Sequence, residues 1–182
     1  MIARRESIVL TMVGALALAT AVQAQTSDAP PCIVSLDAIK GPRPQFSDYP
    51  VRIGPKVHPA HPVIATSAAR LFRTRLREGA ARGPDFADHF TVATWGCGSA
   101  CVDWAIIDAR SGRVSFIERL RNLSLVYADG DLIYRRESRL IVLLGAPHED
   151  EAREGAAFFV WDGRRLNQVA FFPRRRSCAP AP

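Results

Sequence analysis

FTVATWGCGSACVDWAIID, residues 90–108, is the stretch whose reading decides the fold. Phe90, Val92 and Thr94 alternate with their neighbours, and so do Val102, Trp104 and Ile106. A period of two is that of a strand with one face buried, so two strands are expected with Trp104 in the core. Cys97 and Cys101 enclose Gly98, Ser99 and Ala100 between them. Gly96 and Gly98 suit a backbone forced into a tight turn. The paired runs therefore read as a hairpin with a cysteine-closed tip.

Downstream the pattern repeats. Ser111 and Gly112 turn the chain into Val114 and Phe116. Leu123, Leu125 and Tyr127 precede a turn at Asp129 and Gly130, followed by Leu132 to Tyr134 and Leu140 to Leu144. Ala157 to Trp161, the Asp162 and Gly163 turn, and Leu166 to Phe172 make a third set. Asp-Gly between apolar runs is a strong hairpin signal. Three such units are too few to close a propeller. The expected fold is α+β and mostly β, with one curved or partly closed antiparallel sheet of hairpins and one amphipathic helix packed on it.

That helix is expected over Thr66 to Arg82. Thr66 or Ser67 can cap it, Ala68, Leu71, Phe72, Leu76 and Ala80 recur at helical spacing, and Gly83 with Pro84 stops it. Arg70, Arg73, Arg75 and Arg77 then form a solvated basic face. Before the helix, Pro30, Pro31, Pro42, Pro44, Pro50, Pro55, Pro59 and Pro62 predict an extended arm, because proline fixes φ and removes a donor. Ile33, Val34 and Leu36 add at most one short strand.

At the start, Arg4 and Arg5 precede an apolar or small run from Ile8 to Val22, and Val22, Gln23 and Ala24 supply the small-x-small step of a signal peptidase site. This pattern predicts a secretory signal over residues 1–24, cleaved before Gln25. It is short for a membrane span, which needs about 20 apolar residues. Glu6 and Ser7 stand where a twin-arginine signal carries an apolar pair, so ordinary secretion is expected. The remaining organisation is a Pro-rich arm at 25–65, a single domain at 66–178 and a tail at 179–182. The destination is the periplasm or the exterior, with no stable membrane insertion after cleavage.

The formal net charge of +6 over the 182 residues falls by only one unit when the leader is removed. It favours encounters with anionic cell-envelope surfaces. A nucleic-acid role is not expected, since the arginines are dispersed apart from Arg174, Arg175 and Arg176 and no aromatics interleave with them. Four cysteines in an oxidising compartment point to disulfides, with three possible pairings. Proximity favours Cys97 with Cys101, which leaves Cys32 for Cys178. In the chain-entropy view the long loop is worth roughly 5 kcal/mol and the short one roughly 2. The short bridge therefore serves local shape more than stability.

The run from Gly83 and Pro84 through Phe86, Ala87 and His89, leading into Trp95-Gly96-Cys97-Gly98-Ser99-Ala100-Cys101 and then Ile106-Ile107-Asp108 with a glycine turn, resembles a set of exported bacterial proteins. These share a Gly-Pro-x-Phe-Ala-x-His core and a Trp-Gly-Cys-Gly-x-x-Cys motif. The resemblance spans about Leu71 to Leu144 and implies export without implying an activity, since none is assigned to that set.

Several chemistries are tempting and poorly supported. The papain-like nucleophile motif lacks the extra residue found between these cysteines and requires a histidine about 130 to 150 residues downstream; the only downstream histidine is His148. A redox pair normally heads a helix that lowers a thiol pKa, whereas this pair lies between strands. His58 and His61 are separated by Pro59 and flanked by Pro62, and His148, Glu149 and Asp150 sit in a loop, so no metal site is expected. His89 with Ser99 or Asp103 lacks a nucleophile elbow. No cofactor is expected.

The favoured expectation is a non-enzymatic envelope protein that binds another macromolecule through a loop of Trp95, Gly96, Gly98, Ser99 and Ala100. Its partner would be an envelope protein or an anionic envelope surface. The loop is similar in architecture to the cysteine-closed loop of periplasmic lysozyme inhibitors of the Ivy type, although theirs carries Lys-Pro-His-Asp where this one has Gly98, Ser99 and Ala100. The alternatives are thiol–disulfide exchange at Cys97 and Cys101, or a structural accessory role. His89 and Asp103 are the polar candidates. An enzyme should bury a polar cluster in a pocket, whereas a binding protein should expose Ser99.

Overall fold

A computed structural model describes residues 33–55 and 58–174. The expected signal peptide, the Cys32 to Cys178 pairing, the Arg174 to Arg176 triplet beyond its first member, and the 179–182 tail lie outside these residues. Eight strands form one open antiparallel sheet: β1 (Phe90–Gly98), β2 (Cys101–Asp108), β3 (Val114–Ser115), β4 (Leu123–Ser124), β5 (Leu132–Tyr134), β6 (Leu140–Pro147), β7 (Gly155–Trp161) and β8 (Leu166–Pro173). Two short helices, α1 (Ser67–Leu71) and α2 (Arg73–Ala81), pack on it. The fold class is α+β and mostly β, as the alternation predicts.

The sheet has two halves joined through one short strand. The path runs β1-β2-β4-β6-β7-β8. β4 pairs with β2 at Cys101 and Val102, and with β6 at Ala146 and Pro147. Farther along, β3 lies on β2 at Ile106 and Ile107, while β5 lies on β6 from Ile141 to Leu143. The halves are thus joined by strand pairing at the end carrying the cysteines, while at the other the turn before β1 donates to the Arg135 and Arg136 carbonyls ahead of β6. Val92, Trp104 and Ile106 from one half meet Ile141, Leu143, Phe159 and Trp161 from the other in a shared core. The Phe90 and Trp161 rings meet edge to face across it at 5.5 Å.

Both outer faces are covered as well. Ala69, Leu76 and Ala80 of the helices pack on Ala93, Trp95, Ala105 and Ile107. The arm contributes Val34 and Ile39 to a third cluster with Leu140, Val142, Leu144, Ala156 and Phe158. Strands buried on both faces lose the polar alternation of a half-exposed sheet. This explains why β6 is apolar from Leu140 to Ala146.

Two expectations require correction. The single helix over Thr66 to Arg82 is interrupted at Phe72, which caps both segments at φ −99° and ψ 18° and lays its ring on Trp95 at 4.7 Å. Thr66 is the N-cap, its hydroxyl accepting from the Ala69 amide. The interruption rotates the buried stripe to Ala69, Leu76 and Ala80 and leaves Leu71 74% exposed. Secondly, Leu125 to Tyr127 does not extend into a hairpin with β5. Ala128 is taken instead by Val34 of the arm in an isolated parallel bridge, which is also all that the Ile33 to Leu36 strand amounts to. The arm supplies core side chains, and the described residues fall in one compact unit.

Candidate functional site

The β1–β2 hairpin carries the loop. Its register runs from Phe90 opposite Asp108 to Gly96 opposite Val102, then slips by one residue before Gly98 meets Cys101. A disulfide joins Cys97 to Cys101. Ala100 has φ 49° and Gly98 φ 153°, the kind of backbone that a tight closure demands. Gly96, Cys97, Gly98, Ser99 and Ala100 are all exposed.

Below the tip the hairpin is firmly held. Trp95, expected in the loop, is only 7% exposed and packs against Phe72 and Phe116. It supports the tip from inside the outer core and contributes no surface to it. Asp103, 1% exposed, accepts from Arg121 through both carboxylate oxygens and caps the Trp104 amide at 2.9 Å. The Arg121 guanidinium also faces the Phe72 and Phe116 rings at 5.4 and 5.5 Å, and its hydrogen bond to Asp103 raises its already high pKa. Asp103 is therefore a structural anion beneath the loop.

His89 lies at the opposite end of β1, and the structure does not bring it to Asp103 or Ser99. Its neighbours are two aspartates that sequence reasoning missed: Nδ1 is 3.1 Å from Asp88 Oδ2 and Nε2 is 3.8 Å from Asp108 Oδ1. Asp108 was within reach of the sequence. Counting down the ladder from a hairpin centred on Ser99 puts it opposite Phe90. Asp88 is placed by the turn before β1, where Ala87 and Asp88 have φ 41° and 71°. Left-handed backbone costs about 1–2 kcal/mol per residue outside glycine. The turn is sustained because Phe86 and Phe90 exchange amide bonds across it and the Asp88 amide donates to the Arg136 carbonyl at 2.7 Å.

The Asp88 carboxylate collects ligands from distant parts of the chain. The Gly54 amide donates to it at 2.7 Å and Arg110 at 2.9 Å, with Arg136 4.0 Å away. The Gly54 bond leads in holding its pKa below the usual carboxylate range, with His89 and Arg110 adding to it. Burial works to raise Asp108, but the Arg110 amide and the Ser111 hydroxyl outweigh it and the net shift is downward. The Ser111 hydroxyl donates a hydrogen bond to Asp108 Oδ2 at 2.8 Å. A hydrogen bond between Ser111 and His89 is lacking among the described residues.

Beside this network a cavity of about 440 Å³ opens at the end of the sheet away from the cysteines, lined among others by Arg52, His89, Arg113, Arg139 and Trp161. Among the described residues no cluster of three or more His, Cys, Asp or Glu is arranged to hold a metal ion, and no helix is long and apolar enough to cross a membrane. No protein-family model matches the chain, and neither the curated proteins nor the solved structures include a significant match.

Proposed function

We propose that the chain is an exported, non-enzymatic protein that docks on a macromolecule of the cell envelope through the disulfide-closed tip of the β1–β2 hairpin. The observation that carries this reading is the contrast within one hairpin. Five consecutive residues, Gly96 to Ala100, are exposed, while Trp95 and Asp103 directly beneath them are buried and fixed. A loop already held in one shape loses little conformational entropy on docking. The polar network at the other end supports a fold-fixing role for His89, since Asp88 is engaged by arginines and backbone and the nearby Ser111 hydroxyl is spent on Asp108. The disulfide and the predicted leader together support an oxidising destination.

A photo-crosslinking residue at Ser99, and another at Glu78 on α2, tests the reading in envelope fractions. Capture from position 99 alone, followed by at least a tenfold weaker affinity of the identified partner for Ser99→Arg at unchanged melting temperature, supports it. Equal capture from both positions overturns it.

The exposure of Cys97 also admits thiol–disulfide exchange, and a redox-buffer series separates the two readings. Structural disulfides open only below about −300 mV. Opening near −200 mV, in the range of exchange catalysts, replaces docking by exchange as the function of the tip.

A further inference from the structure

The cavity at the end of the sheet away from the cysteines has a charge arrangement that the docking reading does not use. Its three lining carboxylates are already engaged. Asp88 takes the Gly54 amide, Arg110 and His89. Asp108 takes the Arg110 amide and the Ser111 hydroxyl. Asp162 accepts from the Arg164 and Arg165 amides at 2.8 and 2.7 Å.

The lining arginines are differently placed. Arg113 gives one nitrogen to the Gly163 carbonyl at 2.6 Å. Arg52 and Arg139 have no carboxylate within ion-pair distance among the described residues. Their backbones are nevertheless fixed. Val51 donates to Glu137, Arg139 donates to Tyr49, and Trp161 donates to Arg139. Two exposed arginines are thereby rooted on neighbouring paired segments beside a single cavity whose lining includes the buried Ala87, Phe90 and Trp161.

From this arrangement we infer that the cavity binds a small organic oxyanion, a carboxylate or a phosphate monoester, with its charged group between Arg52, Arg139 and the free nitrogens of Arg113. A guanidinium presents five donors in a planar fork that matches both oxyanions. A cavity of about 440 Å³ falls in the usual range for small-molecule sites, about 300–1,000 Å³. The ligand body rests toward Phe90 and Trp161, and the arginines supply the donors to its charged group, with the three carboxylates still charged but held by other donors. This site lies at the end of the sheet opposite Ser99, so the inference stands or falls independently of docking by the loop.

Isothermal titration of the purified protein at constant ionic strength tests it, with inorganic phosphate in one arm and citrate in the other. One saturable site per chain in either arm is the expected result; the arm that binds more tightly assigns the ligand to phosphate or carboxylate chemistry. The double variant Arg52→Gln/Arg139→Gln should bind at least about tenfold more weakly, while Arg75→Gln/Arg77→Gln on the helix should bind as the parent does. All four side chains are exposed, so both variants should fold, which circular dichroism checks. Absence of saturable heat in both arms at concentrations well beyond about 1 mM overturns the inference. Equal weakening by the helix variant overturns it too, because binding would then follow overall charge.

Discussion

Asp88 is more acidic in the folded chain than in the unfolded one, and that difference has a sign. Between the folded value and the unfolded value near 3.9 the unfolded state holds more protons, so the contribution is complete above about pH 4 and is lost as the pH falls through the folded value. Asp108 acts in the same sense. Asp85, raised by burial, acts in the opposite sense, since folding favours its protonated form. Stability of the parent should fall steeply on acidification below about pH 4, and the slope should be shallower in Asp88→Asn. Urea denaturation across a pH series reads that slope; identical slopes would remove Asp88 from the account. At the other end of the hairpin, Arg121→Leu would leave the buried Asp103 charge unpaired. It should cost about 3–5 kcal/mol, measured by the same denaturation at neutral pH.

At the scale of elements, Gly79 fixes how closely α2 approaches the sheet. A Cβ built there meets the Ala93 Cβ at 2.4 Å and the Ala93 Cα at 3.2 Å. Alanine is favoured over glycine in a helix by about 1 kcal/mol, so propensity and packing oppose each other. Packing should win: Gly79→Ala should destabilise the protein by about 1–3 kcal/mol. Adding Ala93→Gly should recover part of that loss, and a double-mutant cycle by thermal or urea unfolding measures the coupling. A stabilised Gly79→Ala would show that the helix can shift outward without penalty.

The same elements show what the sequence could and could not convey. The 90–108 hairpin was legible because Phe90, Val92, Trp104 and Ile106 recur at a period of two and its cysteines mark the tip, although both of its faces are buried. The stretch from Leu125 to Tyr127 alternates equally well. Leu125 packs on the inner core and Tyr127 lies under the Arg174 guanidinium, so the pattern records burial without a neighbouring strand. Phe72 carries no glycine or proline signal for its break. The interruption follows from tertiary contact with Trp95 and Phe116. The His89 site was half legible. The histidine and Asp108 can be located by ladder counting, whereas Gly54, Arg110 and Arg136 reach Asp88 only through long-range folding.

For the molecule as a whole, β4 matters far beyond its two residues. It is the strand that hydrogen-bonds to both β2 and β6, and Gly145 permits that approach. Gly145 has φ 128°, and a Cβ there would stand 2.2 Å from the Ser124 carbonyl oxygen. Gly145→Ala combines backbone strain with displacement of β4. Amide hydrogen exchange should accelerate at Leu123 and Ser124 more than within β1 or β7, and overall stability should fall by more than about 2 kcal/mol. Uniform acceleration across all strands would mean that β4 is not a separable link.

The two halves of the sheet are clasped twice, by different means. At the cysteine end the clasp is β4, beside Cys101 and therefore next to the disulfide tip. At the other end the Ala87 and Asp88 amides donate to the Arg135 and Arg136 carbonyls, and the Phe90 and Trp161 rings meet behind them. The core between the halves is therefore closed by backbone hydrogen bonds at both ends.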